Sequence, residues 1–407
     1  MSAGEALGLY VHLPWCERKC PYCDFNSHER RSIPERAYLE ALARDLDDEA
    51  RLAAGRRIGS VFIGGGTPSL FSAVAIARLL DLLRARLDID AQAEITLEAN
   101  PGSAEADRFE GFRAAGVNRL SLGIQSFDDH ALERLGRIHD RRQALAAVAA
   151  ARRAGFDNIN LDLMHGLPGQ RVEDGLADLE QALALMPEHL SWYQLTIEPN
   201  TRFHRQPPSL PDERVLGPLE EAGMARLAAA GFRRYEVSAW SRPGRRCRHN
   251  LHYWRFGDYL ALGAGAHGKV TGTDGAVRRY AKLRQPERYI AALPGARRVA
   301  ERVLTGADLA GEFMLNALRL CDGVPSARFP AATGLPTTAV AGTLGALRQR
   351  GLLVDDDTVL CATALGQRFL DDVVGAFFPA ADGASRGAGK RDRGCRGPDV
   401  HRGARSG

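Results

Sequence analysis

Cys16, Cys20 and Cys23 are spaced C-x3-C-x2-C, so three of the chain's seven cysteines fall within eight residues. Thiolates that dense on one loop can wrap a compact metal centre, and iron–sulfur clusters favour such local runs. A structural zinc ion normally takes four ligands. A zinc site would therefore recruit a histidine, and His12 and His28 both lie close by in sequence. Three thiols cannot pair among themselves and nothing marks the chain as secreted, so a disulfide framework is a poor reading. A cluster, a Cys3His zinc site and inert buried thiols all stay open on spacing alone.

Other residues suited to chemistry recur downstream. Gly64-Gly65-Gly66-Thr67 lets a backbone approach a ligand closely, because glycine has no Cβ, although a tight turn explains it as well. Glu98 ends an apolar segment, where an unpaired carboxylate is costly to bury and calls for a cationic or hydroxyl partner. Gln125 and Asp162 occupy equivalent places in the next two apolar segments, and Arg137 could clamp a carboxylate with two hydrogen bonds. Cys247 to Trp254 contains H-N-x-x-Y-W: His249 as a candidate ligand, Tyr253 and Trp254 as flat apolar faces. From composition alone, a helix-capping histidine and core aromatics account for that motif better than a ligand site does.

The elements that must position these residues alternate strictly. Leu7–Leu13 reads as a strand ended by Pro14, and Ile33–Ala54 as a helix with Tyr38, Leu39, Leu42 and Leu46 on one stripe. Strands are predicted at 60–63, 94–101, 119–126, 158–164 and 190–197, with helices at 73–87, 103–115 and on to 154. Six β-then-α units predict an α/β fold with a parallel sheet. Polar or Gly-rich strand ends favour a barrel whose carboxyl rim carries the chemistry. The domains are read as a barrel over 1–240, a connecting segment with the HNxxYW motif over 241–300, a C-terminal domain over 301–380 and a tail over 381–407. Within 241–300, Gly263–Lys269 reads as a flexible loop, with His267 of interest. Helices followed by a hairpin at 351–360 make the C-terminal domain winged-helix-like.

The chain has 407 residues and a net charge of +4, all of it from the tail, so the body is neutral. No nucleic-acid partner is expected, since neither the body nor 300–380 carries a basic cluster. The tail is rich in Gly, Arg, Ala and Ser and reads as disordered. No run reaches the ~20 apolar residues of a membrane span, and no secretory signal is evident. A cytoplasmic location follows as the expectation.

The cysteine loop resembles that of radical SAM enzymes. Together with Tyr10-Val11-His12-Leu13-Pro14-Trp15, Gly64 to Pro68, Glu98, Leu122 to Phe127, Arg137 and Asp162 to Pro168, it resembles the oxygen-independent coproporphyrinogen III oxidase family across the whole barrel. That resemblance implies a partial (β/α)6 radical SAM barrel. It further implies a [4Fe-4S] cluster on Cys16, Cys20 and Cys23, with S-adenosylmethionine (SAM) on the open fourth iron. Tyr10, Tyr22, Gly65, Gly66, Thr67, Glu98, Gln125, Arg137 and Asp162 would line the SAM site, with Tyr22 on the adenine. The decarboxylating members carry a further cysteine two residues after the third ligand, where this chain has Phe25. The chain therefore resembles the haem-chaperone branch. That branch implies haem as cargo, with His249, Tyr253 and Trp254 as its contacts, and respiratory membrane proteins as acceptors. A homodimer through the open iron site is a further expectation. The alternatives are a coproporphyrinogen III dehydrogenase and a zinc-binding regulatory protein.

Overall fold

The computed structural model describes residues 5–102 and 107–378. The tail expected to be disordered, with Cys395, lies outside the described residues, as does the start of the helix expected from Ser103.

Six parallel strands form the centre of the molecule: β1 (Leu7–Leu13), β2 (Ile58–Gly65), β3 (Ile89–Ala99), β4 (Arg119–Gln125), β5 (Ile159–His165) and β6 (His189–Gln194). Each neighbour pair is parallel and in sequence order. Helices α1 (Glu35–Ala53), α2 (Ala73–Arg84), α3 (Phe109–Ala115), α4 (Asp129–Arg134), α5 (Arg141–Arg153) and α6 (Val172–Ala184) fill the crossovers. β1 shows how the two faces divide. Leu9, Val11 and Leu13 are fully buried in the main core. Tyr10 and Phe62, paired in register on β1 and β2, are only half-buried on the other face.

The sheet does not stop at six strands. After α7 (Glu213–Ala229), strands β7 (Arg233–Glu236) and β8 (Ala239–Ser241) add antiparallel to β6. After α8 (Arg248–Trp254), β9 (Tyr259–Leu262) lies parallel beside β1, followed by β10 (His267–Thr271), β11 (Val277–Lys282) and β12 (Arg298–Val303). Residues 241–300 are thus part of one 12-stranded sheet. Gly263–Lys269, expected as a flexible loop, is a tight turn running into β10. Lys269 is buried there in an ion pair with Asp258 at 2.8 Å.

The packing of α1 departs from a simple apolar stripe. Asp45 and Glu49 are fully buried beside Tyr38, Leu42 and Leu46. Lys282 from β11 reaches both carboxylates at 2.6 Å, and the Tyr289 hydroxyl donates to Asp45 at 2.6 Å. An unpaired charge there would cost several kcal/mol, so the acids are buried together with their cations, Lys282 and also Arg298, whose Nη2 lies 3.1 Å from Glu49. They tie the added strands to the barrel's first helix.

A second core gathers Phe313, Phe329, Leu344, Leu347, Leu360 and Val373, and it includes Trp254 from α8. Helices Gly306–Ala317, Arg328–Thr333 and Ala341–Gln349 surround it. Val359–Leu360 pairs back to Val324–Pro325, and Leu353 bridges Ala362. The expected hairpin is therefore the wing of a winged-helix-like module, closed by a strand that precedes its central helices.

Candidate functional site

The cysteine loop leaves the carboxyl end of β1 and is stitched down at many points. Trp15 is buried, with its ring edge-on to Tyr38 at 4.7 Å. The Gly66 and Thr67 amides donate to the Leu13 and Trp15 carbonyls, both at 2.8 Å. Arg30 N–H donates to the Cys16 carbonyl at 2.9 Å, and the Asn26 side chain donates to the Ala264 and Arg284 carbonyls at 2.9 and 2.8 Å. The Cys23 amide closes a turn onto the Cys20 carbonyl at 3.1 Å. The three thiols face one another electrostatically. Burial pushes Cys16 up to about 11, against a Thr67 hydroxyl that donates to its sulfur at 3.4 Å, and the neighbouring Cys23 and Cys20 add to the rise. Burial raises Cys23 as well, against Ser27.

Two rim glycines are required by close approach. Gly65 sits at φ +118°, and a Cβ there would meet the His12 ring at 2.7 Å. A Cβ on Gly66 would meet the Trp15 carbonyl oxygen at 2.5 Å. The bare backbone lets the end of β2 run directly beneath the cysteine loop.

The remaining rim residues converge on the same mouth. Glu98 accepts the Gly65 N–H at 3.1 Å. Burial pushes its carboxyl up to about 8, and Asp162 adds to the rise, against the Gly65 amide and Arg119. Asp162 accepts from Ser121 at 3.1 Å and Asn160 at 2.8 Å, and burial raises it too. Gln125, at φ +68°, takes the Tyr193 hydroxyl on its amide oxygen at 2.9 Å. Tyr10 bonds the His12 ring at 3.0 Å, and Tyr22 packs on Phe203 with 6.4 Å between centroids. Arg137 donates to the Cys20 sulfur at 3.6 Å and to Asn100 at 2.7 Å, while its buried Nε has no hydrogen-bond partner among the described residues. A cavity of about 630 Å³ opens over Cys20 and Cys23, lined by Arg18, Lys19, Arg134, Arg202 and Arg205 among others. It gives the cysteines a route to solvent. Phe25 stands 47% exposed on the outer side of the loop.

The donor set fits a cluster better than zinc. His12 and His28, the candidate fourth ligands, both turn to Asn26 instead, at 2.9 and 3.3 Å. Among the described residues no three His, Cys, Asp or Glu side chains gather around a single-ion site.

Sequence reasoning missed Asn100, Asp178 and Tyr193. Asn100 was legible: it lies two residues after Glu98, hence on the same strand face. Asp178 comes from α6, and no local pattern ties it to the rim. It accepts the Ser126 hydroxyl and the Phe127 amide, both at 2.6 Å, and so holds the turn that gives Gln125 its left-handed backbone. Burial pushes Asp178 up to about 6, against those two donors.

The HNxxYW helix lies at the other mouth. His249 bonds Ser60 at 3.0 Å, and Ser60 pairs in register with Gly8 at the start of β1. Leu13 lies five residue steps beyond Gly8, about 16 Å along the strand. His249 is buried against Phe62, and burial pushes its imidazole down to about 3, so it is neutral. Glu94 caps the start of α8, accepting from the Arg248 and His249 amides. Trp254 is buried under the Arg319 guanidinium at 4.4 Å, and Tyr253 packs on Tyr259 at 5.0 Å. The structure thus brings together the residues expected to hold a cluster and SAM, and sets His249, Tyr253 and Trp254 apart from them.

A three-thiol loop above a six-stranded parallel barrel is the arrangement of a radical SAM protein. Residues 10–182 match the Radical SAM superfamily, and 304–369 match the HemN C-terminal domain. The chain is 48% identical over 373 residues to the heme chaperone HemW of Escherichia coli (strain K12), covering 91% of this chain and 98% of that one. It is 38% identical to the HemW of Mycobacterium tuberculosis (strain ATCC 25618 / H37Rv), covering 91% and 94%. Coproporphyrinogen III oxidase (HemN) of Escherichia coli shares the fold, with a TM-score of 0.78 at 24% identity over 92% of this chain and 90% of that one. The chain belongs to the HemW family of haem chaperones. Radical SAM membership implies a [4Fe-4S] cluster and SAM. No described helix is long and apolar enough to cross a membrane.

Proposed function

We propose that this protein binds haem and passes it on, and holds a [4Fe-4S] cluster on Cys16, Cys20 and Cys23 with SAM beside it. The observation that carries the cluster half is the loop itself: three cysteines near enough that, beyond burial, Cys23 and Cys20 raise the Cys16 thiol, with both nearby histidines turned to Asn26. Tyr10, Tyr22, Gly65, Gly66, Thr67, Glu98, Gln125, Arg137 and Asp162 would hold SAM. When bound, the cluster would supply one electron to the sulfonium. The protein's own part is positional. Glu98 offers a carboxylate to an ammonium or a ribose, Gly65 and Gly66 bring backbone into contact, and Arg137 keeps a cation against Cys20. Phe25, in place of a further cysteine, favours the chaperone over a coproporphyrinogen III dehydrogenase.

For haem we propose His249 as the iron ligand, with Tyr253 and Trp254 as porphyrin contacts. Neutral imidazole is a haem ligand. In the present packing its Nδ1 is held by Ser60, so haem entry at this place requires α8 to part from β2. Respiratory membrane proteins are the proposed acceptors, the cytoplasm the proposed location, and a homodimer the proposed assembly. For function, we take 1–240 as the cofactor-holding barrel, 241–300 as the haem-handling segment and 301–380 as a docking module.

Haem titration followed in the Soret band tests the ligand. His249→Ala should weaken binding at least tenfold while leaving the iron and sulfide content unchanged, since α8 is remote from the cysteines. Unchanged haem affinity would move the ligand to Cys247, His252 or His267.

A further inference from the structure

We propose that Asn100 governs the hydrogen bonds received by two cluster cysteines at once, and thereby the reduction potential of the centre they hold. The inference rests on the cluster assignment above and adds Asn100, which that assignment does not include.

Asn100 lies just past the end of β3, half-buried, between two groups that touch sulfur. On one side Arg137 Nη2 lies 2.7 Å from its side-chain oxygen, while Nη1 reaches the Cys20 sulfur at 3.6 Å. On the other, its amide nitrogen lies 3.0 Å from Thr67 Oγ1, and Thr67 in turn lies 3.4 Å from the Cys16 sulfur. The direction of every bond follows from donor chemistry. A guanidinium only donates, so the atom of Asn100 facing Arg137 is its oxygen. The NH2 group must then face Thr67. It occupies a lone pair of that hydroxyl, and the single Thr67 proton is left for Cys16. Two ends of one amide thus orient one donor onto Cys16 and another onto Cys20. Gly123 helps on the Arg137 side, its carbonyl accepting from Nη2 at 2.8 Å. Cys23 lies outside the relay, its sulfur 3.7 Å from Ser27 Oγ.

Hydrogen bonds to ligating sulfurs stabilise the more negative, reduced cluster and raise its potential. Asn100 touches neither sulfur and is a positioning residue. An aspartate at 100 keeps the size and the acceptor for Arg137 but cannot donate to Thr67. The hydroxyl would turn to the carboxylate and leave Cys16.

The test is a midpoint-potential cycle, read by EPR on anaerobically reconstituted full-length protein: wild type, Asn100→Asp, Thr67→Val and the double variant. Asn100→Asp and Thr67→Val should each lower the potential. Thr67→Val should add no further drop in the Asn100→Asp background, which removes the effect of the added charge from the comparison. Ser27→Ala, outside the relay, should lower the potential equally in both backgrounds. An equal Thr67→Val drop with and without Asn100 overturns the proposal. Asn100→Leu is the second variant and should also lower the potential. If neither Asn100 variant takes up the cluster, a tuning role is also overturned, because a tuning residue is dispensable for assembly. A wild type that assembles no [4Fe-4S] centre overturns the cluster assignment itself.

Discussion

Cys20→Ala protein, reconstituted anaerobically with iron and sulfide, should hold no [4Fe-4S] cluster and keep its fold. The thiol is half-buried, with Arg137 Nη1 3.6 Å from its sulfur and the Tyr22 hydroxyl also against it. The loop is anchored by Trp15, Asn26 and backbone bonds that do not involve this side chain. Removing it should cost the apo fold no more than about 1 kcal/mol, the scale of an ordinary half-buried substitution. Cluster assembly has no such tolerance, because the two nearby histidines that could replace the thiol are committed to Asn26. Iron and sulfide analysis with EPR reads the loss, and circular dichroism reads the fold. Cys321→Ala, in the C-terminal module, is the control and should load fully. Full loading of Cys20→Ala would remove this residue from the ligand set.

Glu98→Gln should strengthen the ligand-free protein and weaken SAM binding. The folded carboxyl titrates near 8, against an ordinary value of 4.5. Between those values the folded state binds more protons than the unfolded one, so stability falls as pH rises through the window. The penalty is absent below about 4.5 and complete above about 8. Glutamine carries no charge and escapes it. The full shift corresponds to 1.36 kcal/mol per unit, but the carboxylate is partly solvated, so a gain of about 2 kcal/mol is expected at pH 8.5 and none at pH 4. Denaturant melts at the two pH values measure this. SAM binding should fall roughly 10- to 100-fold, the worth of a charged hydrogen bond. A gain that does not change with pH would mean that the carboxylate is not the source of the strain. Unimpaired SAM binding would take Glu98 out of the site.

The barrel was legible because its signals are local and repeated. Each parallel strand is a short apolar run followed by a helical stripe, and the β1-to-β6 order appears in the structure as the alternation predicts. The cysteine loop was legible by spacing alone. The added strands were not. β9 joins β1 across some 250 residues, and no local pattern announces that pairing. The buried Asp45, Glu49 and Lys282 triad was hidden for the same reason: on α1 the acids look like a solvated face until β11 supplies the lysine. At the rim, Glu98 and Asp162 stood out as carboxylates in apolar strands, while Asp178 acts from a helix through backbone contacts. The HNxxYW motif was visible as letters, but its place at the amino ends of the strands depends on how α8 folds back under the sheet.

We propose that this radical SAM protein carries haem and does not oxidise a porphyrinogen. The most direct measurement uses anaerobically reconstituted full-length protein in two parallel samples. One receives coproporphyrinogen III, SAM and a reductant. The other is titrated with haem and followed in the Soret band. A haem chaperone should give saturable haem binding and no decarboxylated porphyrin. Protoporphyrinogen formed with catalytic consumption of SAM would contradict the claim, and would show that a phenylalanine at position 25 suffices where the decarboxylating enzymes have cysteine.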